Sequence, residues 1–248
     1  MKIFNWPEIT NTQRNADADA FFSAGTGIST GSFDGLHKGH RVLLNTLTDQ
    51  CKKNQLLPGI VTFTRPLPSI KHSQDYQGDI STLQQRLDLF ESMGISFVIV
   101  VDFDQDFAAL SGTQFFELLV KHCNMKLIAE GVDFRCGYKG ATDTQAISYF
   151  CRQNNIMPFF VPPVFYKEGT DEEERISSSY IRGMIQKGFF STVEELLERK
   201  YMLEVEYANQ IIPPDGIYHC KNEKCEDVRV IIDNKNLSIS IPSKTLYF

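Results

Sequence analysis

The sequence has no apolar run long enough to cross a membrane. Its longest strongly apolar stretch covers only residues 97–101, whereas a bilayer-spanning helix needs roughly 20 apolar residues. The first ten residues, MKIFNWPEIT, also lack the apolar centre of a secretory signal. We therefore expect no membrane association and a cytoplasmic location.

Basic residues are not in excess. The 31 acidic residues outnumber the 25 lysines and arginines, which gives a formal charge of −6. A general nucleic-acid binder needs a broad positive surface, so no nucleic-acid partner is expected. Any anionic ligand must instead be bound by a local cluster of hydrogen-bond donors. Nothing in the sequence indicates an obligate protein partner.

A regular cysteine framework is also missing. The six cysteines are scattered, and only Cys220 and Cys225 lie close together. A zinc site there would need more ligands than His219 supplies. We expect reduced thiols and assign no protein ligand to a metal.

Apolar runs alternate with helical patterns from about residue 26 to residue 187, which is typical of β-α-β units. The strand-like runs are residues 60–63, 97–101, 126–130 and 158–162. Helical spacing of apolar residues covers residues 42–47, 83–90, 115–119 and 179–197. The pattern predicts an α/β domain with a parallel sheet.

The pattern changes after residue 201. Leu203, Val205 and Tyr207 alternate, a Pro-Pro-Asp-Gly turn follows at residues 213–216, and residues 228–232 form an apolar run. Alternation and turns of this kind indicate a small antiparallel β unit. We predict one domain over residues 1–201 and the β unit over residues 202–248.

The segment GSFDGLHKGH, residues 31–40, follows a predicted strand and precedes a helix beginning near residue 38. Free N–H groups at a helix start attract anions, and Gly31, Gly35 and Gly39 allow a phosphate close to the backbone. His37 and His40 are three residues apart and share a face in the first helical turn. Such a pair predicts stabilisation of charge on a phosphate during displacement.

A second segment, ISSSYIR at residues 176–182, precedes the last helical pattern. Ser178 and Ser179 lie where serines cap helices, and Arg182 in the first turn is placed to bind the β- and γ-phosphates of a nucleotide. Taken alone, this segment favours the ordinary interpretation of a serine cap and a surface arginine.

A third segment, GVDFRCGYKG at residues 131–140, follows the strand near residue 128. Ligands in open α/β sheets lie outside the carboxyl ends of the strands. Asp133 is a candidate to order the loop or contact the ligand, and Arg135 is a candidate phosphate contact. A plain glycine-rich turn explains the segment equally well.

Taken in chain order, the three segments resemble the adenylyltransferase module of the bacterial FAD synthetases, the bifunctional riboflavin kinase/FMN adenylyltransferase family. The resemblance covers residues 20–201 and rests on GSFDGLHKGH, GVDFRCG and ISSSYIR. It implies a Rossmann-like, doubly wound nucleotidyltransferase fold of the HxGH type. It further implies ATP and FMN as substrates, Mg²⁺ as a helper, and FAD and pyrophosphate as products.

The resemblance also implies roles for individual residues. Contacts with the ATP phosphates and catalysis are expected from His37, His40 and Arg182. The residues expected to bind the nucleotide are Gly31, Ser32, Phe33, Asp34, Gly35, Gly39, Asp133, Arg135, Ser178 and Ser179.

Three features depart from the family pattern. Cys136 replaces the customary second aromatic residue of the segment GVDFRCG. The family's flavin segment TFxPHP corresponds to TFTRPLP here, and its histidine is missing. The resemblance implies Phe63, Arg65 and Pro66 as the flavin contacts. The G-x-P-T-A-N motif of the kinase module is absent as well, so we expect no riboflavin kinase activity and interpret residues 202–248 as a remnant of that module. Two alternatives remain: a different phosphorylated acceptor, or a non-catalytic nucleotide- or flavin-binding protein.

Overall fold

A computed structural model describes residues 1–10, 16–71, 74 and 76–248 of the chain. The strands are β1 Lys2–Asn5, β2 Thr26–Thr30, β3 Leu57–Phe63, β4 Phe97–Val101, β5 Met125–Gly131, β6 Met157–Val161, β7 Phe165–Tyr166, β8 Glu174–Arg175, β9 Met202–Glu204, β10 Gly216–Asn222, β11 Asp227–Asp233, β12 Asn236–Ile239 and β13 Thr245–Tyr247. The helices are α1 Trp6–Thr10, α2 Ala16–Phe22, α3 Lys38–Lys53, α4 Leu67–Lys71, α5 Leu83–Ser92, α6 Gln105–Ala109, α7 Gly112–Cys123, α8 Thr144–Gln153, α9 Ser178–Gln186 and α10 Phe190–Leu197.

These elements belong to two units. The first unit comprises Met1–Ser32, His40–Leu67 and Leu87–Pro163, and the second comprises Phe33–Gly39, Pro68–Arg86 and Val164–Phe248. Within the described part of the chain, no helix combines the length and the apolar character needed to cross a membrane.

The first unit contains a parallel sheet of six strands in the order β1-β4-β3-β2-β5-β6. Ser29 in β2 pairs with Ile60 in β3, and Ile28 pairs with Ile128 in β5. Every residue of β4 is buried, because helices cover both faces of a parallel sheet and such strands carry continuous apolar runs. The predicted Rossmann-like, doubly wound sheet is confirmed.

The strand order reverses at β2. The chain passes from β2 to β3 and β4 on one side, then returns to β5 and β6 on the other. In open α/β sheets, the crevice outside the carboxyl ends of the strands at such a point is the usual place for a ligand. Gly31 follows β2 and Gly131 ends β5, so both glycine-containing segments begin at this point.

Strand β1 was not predicted. Lys2 to Asn5 pair in parallel with Phe97 to Val100 at the edge of the sheet. Three of the four residues are exposed, so the segment lacks the continuous apolar run that identifies the inner strands.

The second unit contains a five-stranded antiparallel sheet in the order β12-β11-β10-β13-β9, together with the β7-β8 hairpin. Buried residues from α9, α10 and this sheet, among them Ile181, Leu196 and Val230, share one hydrophobic core. The predicted C-terminal β unit is therefore confirmed in type. The strand predicted over Leu203 to Tyr207 ends at Glu204, because the chain turns there and the Tyr207 N–H donates to the Glu204 carbonyl at 3.1 Å.

Candidate active site

The loop Phe33–Gly39 in the second unit, here called the motif loop, has a strained backbone. Phe33 and Leu36 have φ angles of +48° and +39°, and Gly35 has +78°. Left-handed conformations are unusual for bulky residues, and such strain persists where the surroundings enforce it, often at functional sites. Turns of this kind direct backbone N–H groups into concavities that bind anions.

Asp34 holds the motif loop in place. Its buried carboxylate accepts hydrogen bonds from the N–H groups of Ile80 at 3.0 Å and Ser81 at 2.9 Å. It also forms an ion pair with Arg182. Burial raises the pKa of Asp34, while the Arg182 guanidinium and the two N–H groups act in the opposite direction. Within the protein, the Asp34 carboxylate binds Ile80, Ser81 and Arg182. Its contact with a nucleotide stays a prediction.

Gly35 is required by its surroundings. Its N–H donates to the Ser81 hydroxyl at 2.9 Å, and its carbonyl accepts from Arg199 Nη2 at 2.6 Å. A Cβ at this position would lie 2.9 Å from Cγ2 of Ile80, and the positive φ angle adds strain for any other residue. The glycine therefore serves both the turn and the close packing of the loop.

The His37 side chain is buried at the end of the motif loop, with 5% of its surface exposed. A Cβ on Gly39 would lie 3.4 Å from Cε1 and Nδ1 of the His37 ring. Helix α3 begins at Lys38, as predicted. The glycine between the two histidines thus leaves room for the first imidazole.

The start of α9 is bonded directly to the motif loop. Ser177 caps the helix by accepting a hydrogen bond from the Tyr180 N–H at 3.2 Å, and Ser178 donates to the Asp34 carbonyl at 2.8 Å. The capping residue is thus the first of the three consecutive serines, each of a type that suits the position. The second unit therefore brings two of the predicted site segments together, while a nucleotide contact by Ser178 or Ser179 stays a prediction.

Arg182 lies in the second turn of α9, not in the first turn as expected. Its guanidinium is buried against Asp34, its Nε donates to the Gly78 carbonyl at 2.8 Å, and its Cζ lies 4.9 Å from the centre of the Tyr76 ring. Contact between Arg182 and the ATP phosphates stays a prediction. For that contact the guanidinium must either leave the Asp34 carboxylate or bind the carboxylate and a phosphate at the same time.

His40 belongs to the first unit and lies in the first turn of α3. Its Nδ1 atom is buried, although part of the residue is exposed. Burial lowers the pKa of His40 to about 3. The imidazole is therefore neutral at pH 7 and has one N–H to donate to an anion.

The lowered pKa of His40 makes stability sensitive to acid. Below an ordinary histidine pKa of about 6.5 the unfolded chain takes up a proton that the folded chain does not, so stability falls as pH decreases from about 6.5 toward about 3, by at most about 1.4 kcal/mol per pH unit. Urea unfolding between pH 7 and pH 5 should show a shallower loss for His40→Gln than for the unchanged protein. His219→Gln, at an exposed position, should behave like the unchanged protein; equal slopes for all three would contradict the burial of His40.

Ser32 and the predicted flavin segment are in contact within the first unit. The Ser32 hydroxyl accepts a hydrogen bond from the Leu67 N–H at 3.0 Å, and the Thr62 hydroxyl donates to the Ser32 carbonyl at 3.4 Å. Arg65 is partly exposed, whereas Pro66 is buried. The carboxyl ends of β2 and β3 therefore place these two predicted site segments side by side.

Phe63 forms an aromatic cluster with two residues that sequence analysis did not select. The ring centres of Phe63, Phe103 and Phe107 are 5.8 to 6.0 Å apart. Phe63 is buried, but Phe103 and Phe107 retain exposed surface. Phe103 follows β4 and Phe107 lies in α6, so their proximity to Phe63 depends on tertiary structure.

The loop after β5 carries Asp133 and Arg135, both exposed. The Arg135 Nε donates to the Gly140 carbonyl at 2.8 Å, which closes the loop. Their predicted contacts with the nucleotide stay predictions. In the described part of the chain, no group of three or more His, Cys, Asp or Glu side chains is arranged to hold a metal ion.

Glu130 was missed by sequence analysis. Its carboxylate is buried at the end of β5, where it accepts a hydrogen bond from the Thr30 N–H at 2.7 Å, and burial raises its pKa well above the ordinary value. Glu130 therefore links β2 and β5 where the strand order reverses. An acid inside an apolar strand, directly before Gly131, was the available signal.

Comparison with known proteins identifies the family. Residues 22–180 match the family model described as FAD synthetase. The bifunctional riboflavin kinase/FMN adenylyltransferase of Buchnera aphidicola is 26% identical over 73% of this chain and 57% of its own length, and that of Escherichia coli K12 is 38% identical over 44% and 36%. The FAD synthetase of Listeria monocytogenes is 26% identical over 68% of this chain and 67% of its own length.

A solved structure shares the fold. The crystal structure titled macrolide-efflux protein from Streptococcus pneumoniae has a TM-score of 0.77 and 20% identity, and the alignment covers 100% of this chain and 98% of that one. The chain spans only about half the length, or less, of the two bifunctional relatives.

Proposed function

Because the chain belongs to the FAD synthetase family, we propose that it transfers the adenylyl group of ATP to FMN and releases FAD and pyrophosphate. The observation that carries the proposal is the strained motif loop, which is anchored through Asp34 and bonded to the start of α9. Two helix starts beside a tight turn suit a polyphosphate.

The proposed reaction requires no nucleophile from the protein. A phosphate oxygen of FMN attacks the α-phosphorus of ATP in line, the new P–O bond forms, and the bond to the β-phosphate breaks so that pyrophosphate leaves with the electron pair. His37 and His40 donate hydrogen bonds as negative charge builds on the phosphates. Mg²⁺ enters as the complex with ATP, held mainly by the triphosphate and water.

The flavin side of the proposal rests on the aromatic cluster. Phe103 and Phe107, which neighbour Phe63, are only partly buried, and a planar isoalloxazine stacks favourably on aromatic rings. Arg65 follows β3, which ends at Phe63, and its side chain carries a positive charge. We propose that Phe63, Arg65 and Pro66 take the place of the family's histidine-containing segment.

The direct test is incubation with ATP, Mg²⁺ and FMN, followed by separation of flavins and measurement of pyrophosphate. The proposal predicts equal amounts of FAD and pyrophosphate. Turnover only with a different phosphorylated acceptor, or tight binding of ATP and FAD without turnover, would contradict it.

We also propose that this chain lacks riboflavin kinase activity and that residues 202–248 derive from a kinase-like module. The G-x-P-T-A-N motif is absent from these residues. Incubation with riboflavin, ATP and Mg²⁺ should give no FMN, and formation of FMN would contradict the assignment.

Replacing Arg182 with lysine should raise the KM for ATP and also lower stability. Lysine keeps the charge but cannot reproduce the fork of donors that meets Asp34, Gly78 and a phosphate. The KM should rise about tenfold or more, since a charge-assisted hydrogen bond contributes roughly 1.5–3 kcal/mol. Arg229→Lys, on the exposed face of β11, is the control. Equal KM values for ATP in both variants would remove Arg182 from the nucleotide site.

A further inference from the structure

Residues 78–81, here called the bridging segment, contact the motif loop on one side. The N–H groups of Ile80 and Ser81 donate to the Asp34 carboxylate, and the Ser81 hydroxyl accepts from the Gly35 N–H. The position of the strained loop therefore depends on where this segment lies.

The same segment contacts residues 209–211 on its other side. The Asp79 N–H donates to the Asn209 carbonyl at 2.8 Å, and the Ile211 N–H donates to the Asp79 carbonyl at 2.9 Å. The buried Gln210 side chain donates to the Ile80 carbonyl at 2.9 Å and accepts from the Glu204 N–H at 2.9 Å. Gln210 thus connects β9 to the residue whose N–H binds Asp34.

A buried carboxylate strengthens this connection. Asp79 is fully buried and accepts hydrogen bonds from the hydroxyls of Tyr76 at 2.6 Å and Tyr207 at 2.8 Å. The Tyr76 ring is the one that packs against the Arg182 guanidinium. A buried charged group needs such partners, because an unsatisfied one is costly.

The close fit at Gly78 makes the contact specific. Gly78 has a φ angle of +117°, and a Cβ there would lie 2.8 Å from the Ile211 nitrogen. Its carbonyl accepts the hydrogen bond from Arg182 Nε. Gly78 therefore lies directly against the C-terminal residue Ile211 and also binds the Arg182 side chain.

From these contacts we infer that Tyr207 and Gln210, in the C-terminal part of the chain, are positioning residues that set the geometry of the motif loop for adenylyl transfer. The inference rests on the proposed function for its catalytic consequence. The C-terminal β unit then takes part in the reaction through the bridging segment, without touching the substrates.

The test compares Tyr207→Phe and Gln210→Met with Tyr218→Phe in the full chain. Tyr218 belongs to the same sheet, and its hydroxyl donates to the Pro214 carbonyl at 2.7 Å, away from the bridging segment. We expect kcat for FAD formation to fall about tenfold in the first two variants and to be unchanged in Tyr218→Phe, because small displacements of reacting groups are costly. Unfolding curves establish that each variant is folded at the assay temperature.

A double-mutant cycle separates positioning from general stability. Combined with His37→Ala, which removes a proposed phosphate donor of the motif loop, Tyr207→Phe should lose most of its effect on kcat. Additive effects, or a kcat for Tyr207→Phe and Gln210→Met equal to that of the unchanged protein, would overturn the inference.

A binding measurement keeps this test separate from the proposed function. Calorimetric titration with the Mg²⁺ complex of ATP should show a Kd raised about threefold or more in Tyr207→Phe and unchanged in Tyr218→Phe. If the unchanged protein makes no FAD, the proposed function fails. The ratio of the ATP Kd of Tyr207→Phe to that of the unchanged protein still tests whether Tyr207 positions the motif loop. Equal ATP Kd values in all three proteins would overturn it.

Discussion

Replacing His40 with alanine is expected to lower the turnover number for FAD formation by about 100- to 1,000-fold. Removal of one preorganised donor to a developing charge commonly costs about 2.7–4 kcal/mol in the transition state. Because the imidazole is neutral and has one N–H, alanine removes that donor without removing a charge. The KM for ATP should change much less than kcat, since the interaction strengthens as the reaction proceeds.

The matched control is His219→Ala. His219 is exposed in β10, so the same substitution there removes an imidazole without altering the motif loop. Rates should be measured with saturating ATP and FMN after confirming that both variants are folded. FAD formation by His40→Ala at the rate of the unchanged protein would rule out the proposed catalytic role.

Replacing Asp34 with alanine is expected to destabilise the fold by about 3–5 kcal/mol, the usual cost of removing one member of a buried ion pair. The Arg182 guanidinium would stay buried without its carboxylate, and the N–H groups of Ile80 and Ser81 would lose their acceptor. Wherever the variant remains folded, FAD formation should also fall, since the strained conformation at Phe33 and Leu36 loses its anchor.

An exposed ion pair in the same unit provides the control. Lys221 Nζ lies 2.7 Å from the Asp227 carboxylate, with side-chain exposures of 47% and 89%. Asp227→Ala should cost less than about 1 kcal/mol, because solvent screens such pairs. Chemical denaturation of both variants measures the difference. Similar losses for the two aspartates would show that the Asp34 ion pair does not hold the loop.

The sheet could be predicted because its inner strands are buried on both faces. The run Phe97–Val101 is apolar throughout and entirely buried, and the same reasoning located β3 and β5. Strand β6 lies at one edge of the sheet and was located from its apolar residues, although only Val161 is buried. The edge strand β1 escaped detection, because it has only four residues, three of them exposed, and lacks a continuous apolar run. Apolar periodicity reports burial, so elements with little buried surface produce little signal.

The site segments were located by sequence, but their internal contacts were not. The residues that hold Asp34 come from positions 46 to 148 residues away along the chain, and no local pattern indicates such pairing. The left-handed conformations of Phe33 and Leu36 were equally unpredictable, because neither residue type favours them. The ion pair between Arg182 and Asp34 was unpredictable too, because 148 positions separate the two residues along the chain.

In the C-terminal part, too, a strand could be predicted from sequence and a tertiary contact could not. The alternation over residues 228–232 correctly indicated β11. The alternation at Leu203, Val205 and Tyr207 was read as a longer strand, whereas Tyr207 turns so that its hydroxyl reaches Asp79. A tyrosine that satisfies a distant buried carboxylate is indistinguishable in sequence from a strand residue.

A crystal structure with FMN and a non-hydrolysable ATP analogue would show whether the motif loop and the start of α9 bind the triphosphate of ATP. We expect phosphate oxygens within about 3 Å of donors in Phe33–Gly39 and at Ser178 or Ser179. Phosphates bound elsewhere, with the motif loop and the start of α9 empty, would contradict this expectation.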